Sequence, residues 1–542
     1  MAEDSKVGDR KSKIKQKVVN WLKDPHNKIF LAILILGIII RVYFFYHTLH
    51  QTVWWDSADY LTEAKVLSGQ LNVDYFFTAR RTFLLPLIWS FMFRLGFGEV
   101  SLRFIELLFS ILAIPAIYLL SKEMFNKKVG LIASFLMAVF WMHLFYSNRL
   151  MTEIPALTFF IFSLYFFWKG YYKEKTKLLI WFGIFLGLAF LTRAGTLVMF
   201  AVFPIYLLFT ERLKFLKRKD LWLGVSCTLV LMASFFIFTS IKQKLNALSY
   251  FLALTPGTSQ GEPRFSNLLG LGGIGQYFQL MPHYFGMIFL VLFLLGLLVL
   301  LFYVFVSFDL IIKNNEDNRK YFFILILALV PFVYQATLYH YVEDRYLMNA
   351  FPAFFIILAL GLSKIGDWLN KYYKHLGAFV ITLLLLVGAY QQITYGQIII
   401  DSRITSYTPV KDSALWIKEN SLPTDSVISA SVPQMSYYSE REVFNIPQTQ
   451  QELEKIINGH KPKFLMLSIF ELGAHPAWLF SSDSQNGIMS MPYLNSSVQF
   501  NPSTGQIISI DLKQEVKVSN VTYKLVYPQN NLDGTFVYEL TY

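Results

Sequence analysis

Long apolar runs separated by short polar joints fill the chain up to about position 400, after which the pattern changes. Runs of roughly 17–25 apolar residues cross a hydrocarbon core of about 30 Å as helices, because a lipid-exposed backbone must pair its own polar groups. Eleven such runs stand at 29–49, 100–121, 129–147, 154–171, 178–194, 196–210, 221–241, 284–308, 321–339, 346–363 and 376–398. They predict an α-helical polytopic membrane protein of about 11 to 13 transmembrane helices. From Asp401 the runs shorten. Amphipathic stretches at 413–420 and 449–457 alternate with strand-like runs at 427–430 and 464–467, and after Met491 the pattern is mostly strand, ending at 536–542. This predicts a C-terminal soluble α/β domain of ordinary size. The expected organisation is a basic segment 1–28, a transmembrane domain 29–400 and a soluble domain 401–542.

Composition agrees with a membrane solvent: 55% of residues are hydrophobic, 17% aromatic and 15% charged. The first run is too long for a signal-peptide core and lacks a small-residue cleavage site, so it is expected to remain as an anchor. Residues 1–28 carry eight Lys or Arg, which places the N-terminus in the cytoplasm under the positive-inside rule. Alternating from there, the inner loops carry 17 Lys or Arg in 47 residues and the outer segments 10 in 107. The C-terminal domain is then extracytoplasmic. This bias accounts for the net charge of +12 without nucleic-acid binding. The single cysteine, Cys227, falls inside an apolar run, which excludes an intrachain disulfide and a cysteine-ligated zinc site. Two sequons, at Asn495 and Asn520, stand in the soluble domain.

Candidate chemistry collects on the outer side of this frame. After the first run comes Trp54-Trp55-Asp56-Ser57-Ala58-Asp59-Tyr60, two carboxylates at a membrane boundary, where ionised groups are costly. Further along the same face stand Glu63, Asp74, Arg80, Arg81, Glu99, Arg103, Arg149, Glu153, Arg193, Glu262, Arg264, Glu343, Asp344 and Arg345. Guanidinium groups grip phosphate bidentately and a carboxylate acts as a base, so the set fits a cavity for an anionic substrate beside lipid. The first outer loop, 50–99, contains two helical stretches, 57–69 and 83–97, expected to lie in the interface. The second long outer loop, 242–283, includes the glycine-rich Gly270–Gly275 and is a candidate lid.

Each residue has a plainer reading. Asp56 and Asp59 suit the first turn of a helix, Glu153 between Thr152 and Pro155 suits a helix start, and Arg103 and Arg345 suit snorkelling to headgroups. His143, His283 and His340 read as hydrogen-bonding groups. The acids leave a divalent ion open, although phosphate binding by arginine needs none.

Taken in order, these segments resemble the GT-C membrane glycosyltransferases, in particular the protein O-mannosyltransferase and aminoarabinose transferase group. The resemblance spans about 29–400 and rests on WWDSADYLTEAKVLSG, FLLPLIWSFMFRLGFG, SLRFIELLFS with Arg103, SNRLMTEIPALTFF with Glu153, and DRYLMNAFPAF with Arg345 and Tyr346. It implies transfer of a mannose-like hexose or related sugar, with inversion, from a polyprenyl- or dolichyl-phosphate donor to a protein or lipid/glycan acceptor. Asp56 would be the catalytic base. Asp59, Tyr60, Arg80, Arg81, Arg103, Glu153, Arg345 and Tyr346 would bind substrate or phosphate. No cofactor is implied with certainty, and a divalent metal stays open.

Two departures stand out. The family's second acid is Ser57 here, so its role falls to Asp59 or Glu63 or is lost, and the Pro-Pro-Leu of the interfacial segment is reduced to Leu85-Pro86-Leu87. The alternatives are a lipid-linked sugar transporter, against which the scarcity of charge in the middles of the runs argues, and a GT-C scaffold that binds without catalysis.

Overall fold

A computed structural model describes residues 16, 19–73, 81–243, 272–306, 311, 316–338, 343–469, 475–483, 487–501, 507–528 and 534–542. Asp74, Arg80, Glu262, Arg264, His340 and most of the candidate lid lie outside the described residues. The helices are α1 (Pro25–His47), α2 (Trp55–Ser68), α3 (Leu84–Arg94), α4 (Glu99–Met124), α5 (Lys127–Val139), α6 (Trp141–Tyr146), α7 (Glu153–Tyr172), α8 (Thr176–Thr192), α9 (Val202–Glu211), α10 (Lys219–Gln243), α11 (Gly272–Val306), α12 (Glu316–Leu338), α13 (Phe351–Leu369), α14 (Leu376–Asp401), α15 (Thr408–Glu419), α16 (Val432–Ser439) and α17 (Gln450–His460). Short 3₁₀ segments, Ala194–Ala201 and Asp344–Ala350, lead into α9 and α13.

Every one of the eleven apolar runs falls on helix. Among the described residues, eight helices are long and apolar enough to cross a membrane by length and composition. The other three runs fall outside that criterion for local reasons. Run 129–147 is broken at Phe140, whose backbone is extended (φ −65°, ψ 118°). Helix α7 includes Glu153, Lys169 and several Tyr and Trp side chains, and α8 has only 17 residues.

Contacts divide the chain into two compact units: Met1–Leu49, Thr78–Leu85 and Glu99–Ser402 form one, and His50–Phe77, Pro86–Gly98 and Arg403–Tyr542 the other. In the first, α7 packs against α4 and α8, α8 against α10, and α13 against α5 and α11. The span ending in α13 is 89% buried, against 28–56% for the other spans, which puts it at the centre of the bundle. Exposed Ile39, Val230, Ile237, Leu298, Phe305 and Leu386 present apolar surface suited to lipid. Glycines set two of the helix crossings. A Cβ on Gly183 of α8 would overlap the carbonyl oxygen of Gly224 on α10, and one on Gly296 of α11 that of Ile357 on α13. Where lipid supplies no hydrophobic drive between helices, such close backbone approach supplies the packing.

Two breaks in the helices are repaired by buried side chains. Ending α5 at Phe140 frees the carbonyls of Ala138 and Met137, which Arg41 of α1 takes up through Nη1 at 2.8 Å and Nη2 at 3.0 Å; Nη1 also donates to Gly37 of its own helix at 3.2 Å. Its Nε donates to Ser110 Oγ at 2.7 Å, and His143 Nδ1 lies 2.9 Å from Nη2. Thus the apolar runs are less free of charge than the sequence pattern implies, and His143 is buried inside the bundle. The second break is at Gly286 in α11, which takes φ +67°, a conformation that side chains rarely adopt. Gln392 of α14 donates to the freed carbonyls of Tyr284 and Phe285 at 3.1 and 2.8 Å. Its Oε1 accepts the Trp141 N–H at the start of α6 at 3.1 Å.

The second unit has strands β1 (Ser426–Ser429), β2 (Glu442–Phe444), β3 (Phe464–Ser468), β4 (Ser481–Asp483), β5 (Ile488–Met491), β6 (Ser496–Phe500), β7 (Ile507–Asp511), β8 (Glu515–Val518), β9 (Val521–Tyr527) and β10 (Thr535–Thr541). Six form a sheet in the order β2-β1-β3-β10-β9-β8, and β4 to β7 form a four-stranded antiparallel sheet. β1 runs parallel to β2 and β3, with Val427 opposite Val443 and Phe464, and these strands are linked through α16 and α17. β10 then pairs antiparallel with β3, Phe536 opposite Leu467. Ile428, Leu465, Leu467, Phe536, Tyr538 and Leu453 form its core. Helix α2 packs on α16, and α3 is tied to the end of α2: Arg94 donates to the carbonyls of Leu67 and Ser68, and Gln70 to that of Phe93.

Candidate active site

Within the first unit, residues of three chain segments meet at Glu153. This residue opens α7, where a carboxylate is favoured by the helix dipole, and its side chain is nearly fully buried. It does not cap its own helix. Its Oε1 accepts from Arg193 Nη1 at 2.6 Å and lies 3.4 Å from Arg345 Nη1, while its Oε2 is buried without a hydrogen-bond partner among the described residues. The Arg193 Nη1 also donates to Thr152 Oγ1 at 3.2 Å. Arg193 follows the last residue of α8, and Arg345 is delivered by the 3₁₀ segment ahead of α13.

Arg81 is brought to the same end by its neighbour. Thr82 Oγ1 donates to the Thr192 carbonyl at 2.6 Å, and Phe83 stacks on Phe235 with ring centroids 6.0 Å apart. The chain beside Arg81 is thereby joined to the chain beside Arg193. Arg345 also donates through Nε to the exposed Glu343 at 2.5 Å, and Tyr346 lies with its ring 5.6 Å from the Arg345 guanidinium carbon. Next to it, Asp344 Oδ2 lies 3.3 Å from His283 Nε2, and Tyr395 Oη is 2.6 Å from His283 Nδ1. An incoming phosphate would compete with Glu343 for Arg345.

Arg103 is placed differently. It is buried, and its Nε and Nη2 donate to Glu99 Oε1 at 3.1 and 2.6 Å while Nη1 donates to the Asn148 carbonyl at 2.9 Å. That geometry ties α4 to the turn before α7.

The other unit carries the acids that follow the first apolar run on α2. Asp56 is half-buried in the first turn, Asp59 and Glu63 are 4% and 6% exposed, and Tyr60 is buried. At about 100° per residue, positions 56, 59 and 63 fall within about 60° of one another, whereas Ser57 turns away by about 100°. The N-cap of α2 is Trp54, without a side-chain capping bond. Among the described residues no group of three or more His, Cys, Asp or Glu is arranged to hold a metal ion.

Arg193 stands among the charged residues read from the sequence but not among the residues that the family resemblance implies for the site. Its position at the end of the run 178–194, as with Arg345 directly before the run 346–363, is the available signal. Nothing in the local sequence pointed to Thr82 or Tyr395.

The sequence family described as dolichyl-phosphate-mannose-protein mannosyltransferase matches residues 80–238. No curated protein matches. Among solved structures, the oligosaccharyltransferase AglB from Archaeoglobus fulgidus, in complex with an inhibitory peptide and a dolichol-phosphate, is similar with a TM-score of 0.55 at 15% identity, covering 83% of this chain and 70% of that one. ArnT from Cupriavidus metallidurans, bound to undecaprenyl phosphate, is similar with a TM-score of 0.58 at 14% identity, covering 81% of this chain and 94% of that one. The Archaeoglobus fulgidus enzyme tethered to an acceptor peptide containing an NVT sequon gives a TM-score of 0.55 at 16% identity, covering 81% and 69%.

Proposed function

We propose that this integral membrane chain, which by fold belongs to the GT-C superfamily, is an inverting glycosyltransferase. It moves a sugar from a polyprenyl- or dolichyl-phosphate donor to a protein or lipid/glycan acceptor on the non-cytoplasmic face. The observation that carries the reading is the convergence of Arg193 and Arg345 on the buried Glu153, in a fold whose similar structures hold dolichol-phosphate and undecaprenyl phosphate.

In this reading an acceptor oxygen attacks the anomeric carbon while Asp56 takes its proton. The bond from that carbon to the phosphate oxygen breaks on the opposite side, and the polyprenyl phosphate leaves with the electron pair. Charge grows on the phosphate as the bond breaks, so preorganised guanidinium donors lower the barrier. Arg345, Arg193 and Arg81 supply them, and Arg80 joins the set from the sequence alone. Glu153 holds two of these arginines in place. Tyr346 beside Arg345 and Tyr60 on α2 are the aromatic contacts. Arg103 acts by fixing the segment that leads to Glu153. Asp59 and Glu63 share the face of Asp56 and take over the role of the acid that Ser57 replaces. No step is assigned to a metal.

The test supplies purified protein with a labelled polyprenyl-phosphate sugar and candidate acceptors. Wild type is expected to consume donor, and Asp56→Asn to lower the rate by about 10²–10⁴-fold, the usual worth of a general base. Equal rates in Asp56→Asn would move the base elsewhere. No donor consumption by wild type across several sugars and acceptors would count against the enzyme reading.

A further inference from the structure

We infer that the C-terminal portion of the chain sets the position of the Asp56 helix, and that Tyr438 is the positioning residue at its start. The inference rests on the catalytic role proposed for Asp56, and all the contacts it uses lie within one compact unit.

The start of α2 is a weak point by its own chemistry. The first turn of any helix leaves N–H groups without intrahelical partners, and Trp54 offers no side chain to cap them. The preceding residues are held from outside instead. Gln51 Nε2 donates to the Arg403 carbonyl at 2.8 Å, Thr52 Oγ1 lies 3.4 Å from Thr408 Oγ1, and the Trp54 ring stands 6.5 Å from that of Tyr407. Val53 N–H donates to Tyr438 Oη at 3.0 Å in buried surroundings. This last bond is made to the backbone, three residues before Asp56, so it fixes the path of the chain rather than one side chain.

The far end of α2 is held by the same short helix. Thr62 Oγ1 lies 3.4 Å from the Pro433 carbonyl. Lys65 Nζ donates to Glu440 at 2.8 Å and to the Tyr437 carbonyl at 3.1 Å, and Lys418 pairs with Glu440 at 2.6 Å. Helix α16 and its C-cap residue Glu440 therefore grip α2 on both sides of the acid stripe. A base must stand within hydrogen-bond reach of the proton it takes, and a displacement of about 1 Å can cost about 10²-fold in rate. A bond that sets the entry of α2 thus acts on turnover through Asp56.

The test is Tyr438→Phe in the full-length protein, which keeps the ring and deletes the accepting oxygen. Hydrogen–deuterium exchange over 49–56 is expected to speed up, with peptides from α17 unchanged and the thermal midpoint close to wild type. With a donor and acceptor that wild type turns over, kcat should fall by about 10–100-fold while both KM values hold. Gln51→Leu, which removes a second tie of the same segment, should change exchange and kcat in the same direction. Unchanged exchange over 49–56 overturns the inference. So does faster exchange with kcat intact, since the bond would then be structural only. Should wild type consume no donor, the function proposed above fails, and the exchange measurement still decides whether Tyr438 holds this segment.

Discussion

Arg41 shows how one side chain can decide the path of a membrane helix. An arginine at the bilayer interior is expensive unless its donors are used, and here they serve the carbonyls that the break at Phe140 leaves exposed. Arg41→Met would leave those carbonyls buried and unpaired, at about 1–3 kcal/mol for the lost partners, partly offset by no longer burying a charge. A lower thermal midpoint in detergent, with Arg41→Lys between Met and wild type, is the expected outcome. Glu153 and Arg103 are both buried; Glu153 gathers arginines from two other segments, and Arg103 donates to Glu99 and to the Asn148 carbonyl.

At the level of elements, the α8–α10 pair is specified by the absence of side chains. Gly183 and Gly224 let two backbones approach where any Cβ would overlap. Gly183→Val should force the helices apart and destabilise by about 3 kcal/mol, the upper range for overpacking. Gly459→Ala on α17, where nothing stands within 4 Å of an added Cβ, serves as the control. It should leave the protein as stable or slightly more so, since alanine favours helix. Thermal unfolding of both variants checks the contrast, and equal losses would mean that crossing distance does not govern the pair. The loop helix α2 illustrates the opposite case. The apolar spacing at 57–69 predicts a helix, and Ser57 to Ala64 of α2 are buried throughout, with α2 packed on α16.

At the scale of whole compact units, the C-terminal unit has its own pH response. Burial pushes His475 below its usual 6.5, only partly opposed by the bond from Nε2 to the Ser468 carbonyl. Burial also acts to raise Glu440, but hydrogen bonds and charge from Lys418 and Lys65 outweigh it and hold the carboxyl below 4.5. A folded-state value below the unfolded one gives stability that is present above the unfolded value and is lost as pH falls. Stability of this unit should therefore decline below about pH 6.5 through His475, and again below about pH 4.5 through Glu440. Thermal melts of the full chain, read by exchange in β1 and β3, should show both stages. His475→Phe, which keeps the ring stack on Phe480, should remove the upper one.

The sequence by itself determined the solvent of each part, because apolar runs of membrane length and a period that shortens after Asp401 report directly on burial. All eleven runs became helix, and the amphipathic and strand-like stretches at 413–420, 427–430, 449–457 and 464–467 became α15, β1, α17 and β3 to within a few residues. It also singled out arginines and acids at the ends of the runs, since charge beside an apolar run is conspicuous. Only the tertiary structure decided which of these meet. Arg193 and Arg345 are 152 positions apart and join at Glu153, and Val53 finds its partner 385 positions away in Tyr438. Pattern along a chain records what each residue is surrounded by on average. The partner of a given hydrogen bond depends on where helices break and cross, and those points are set by residues such as Arg41, Gln392 and Gly183 that act across the fold.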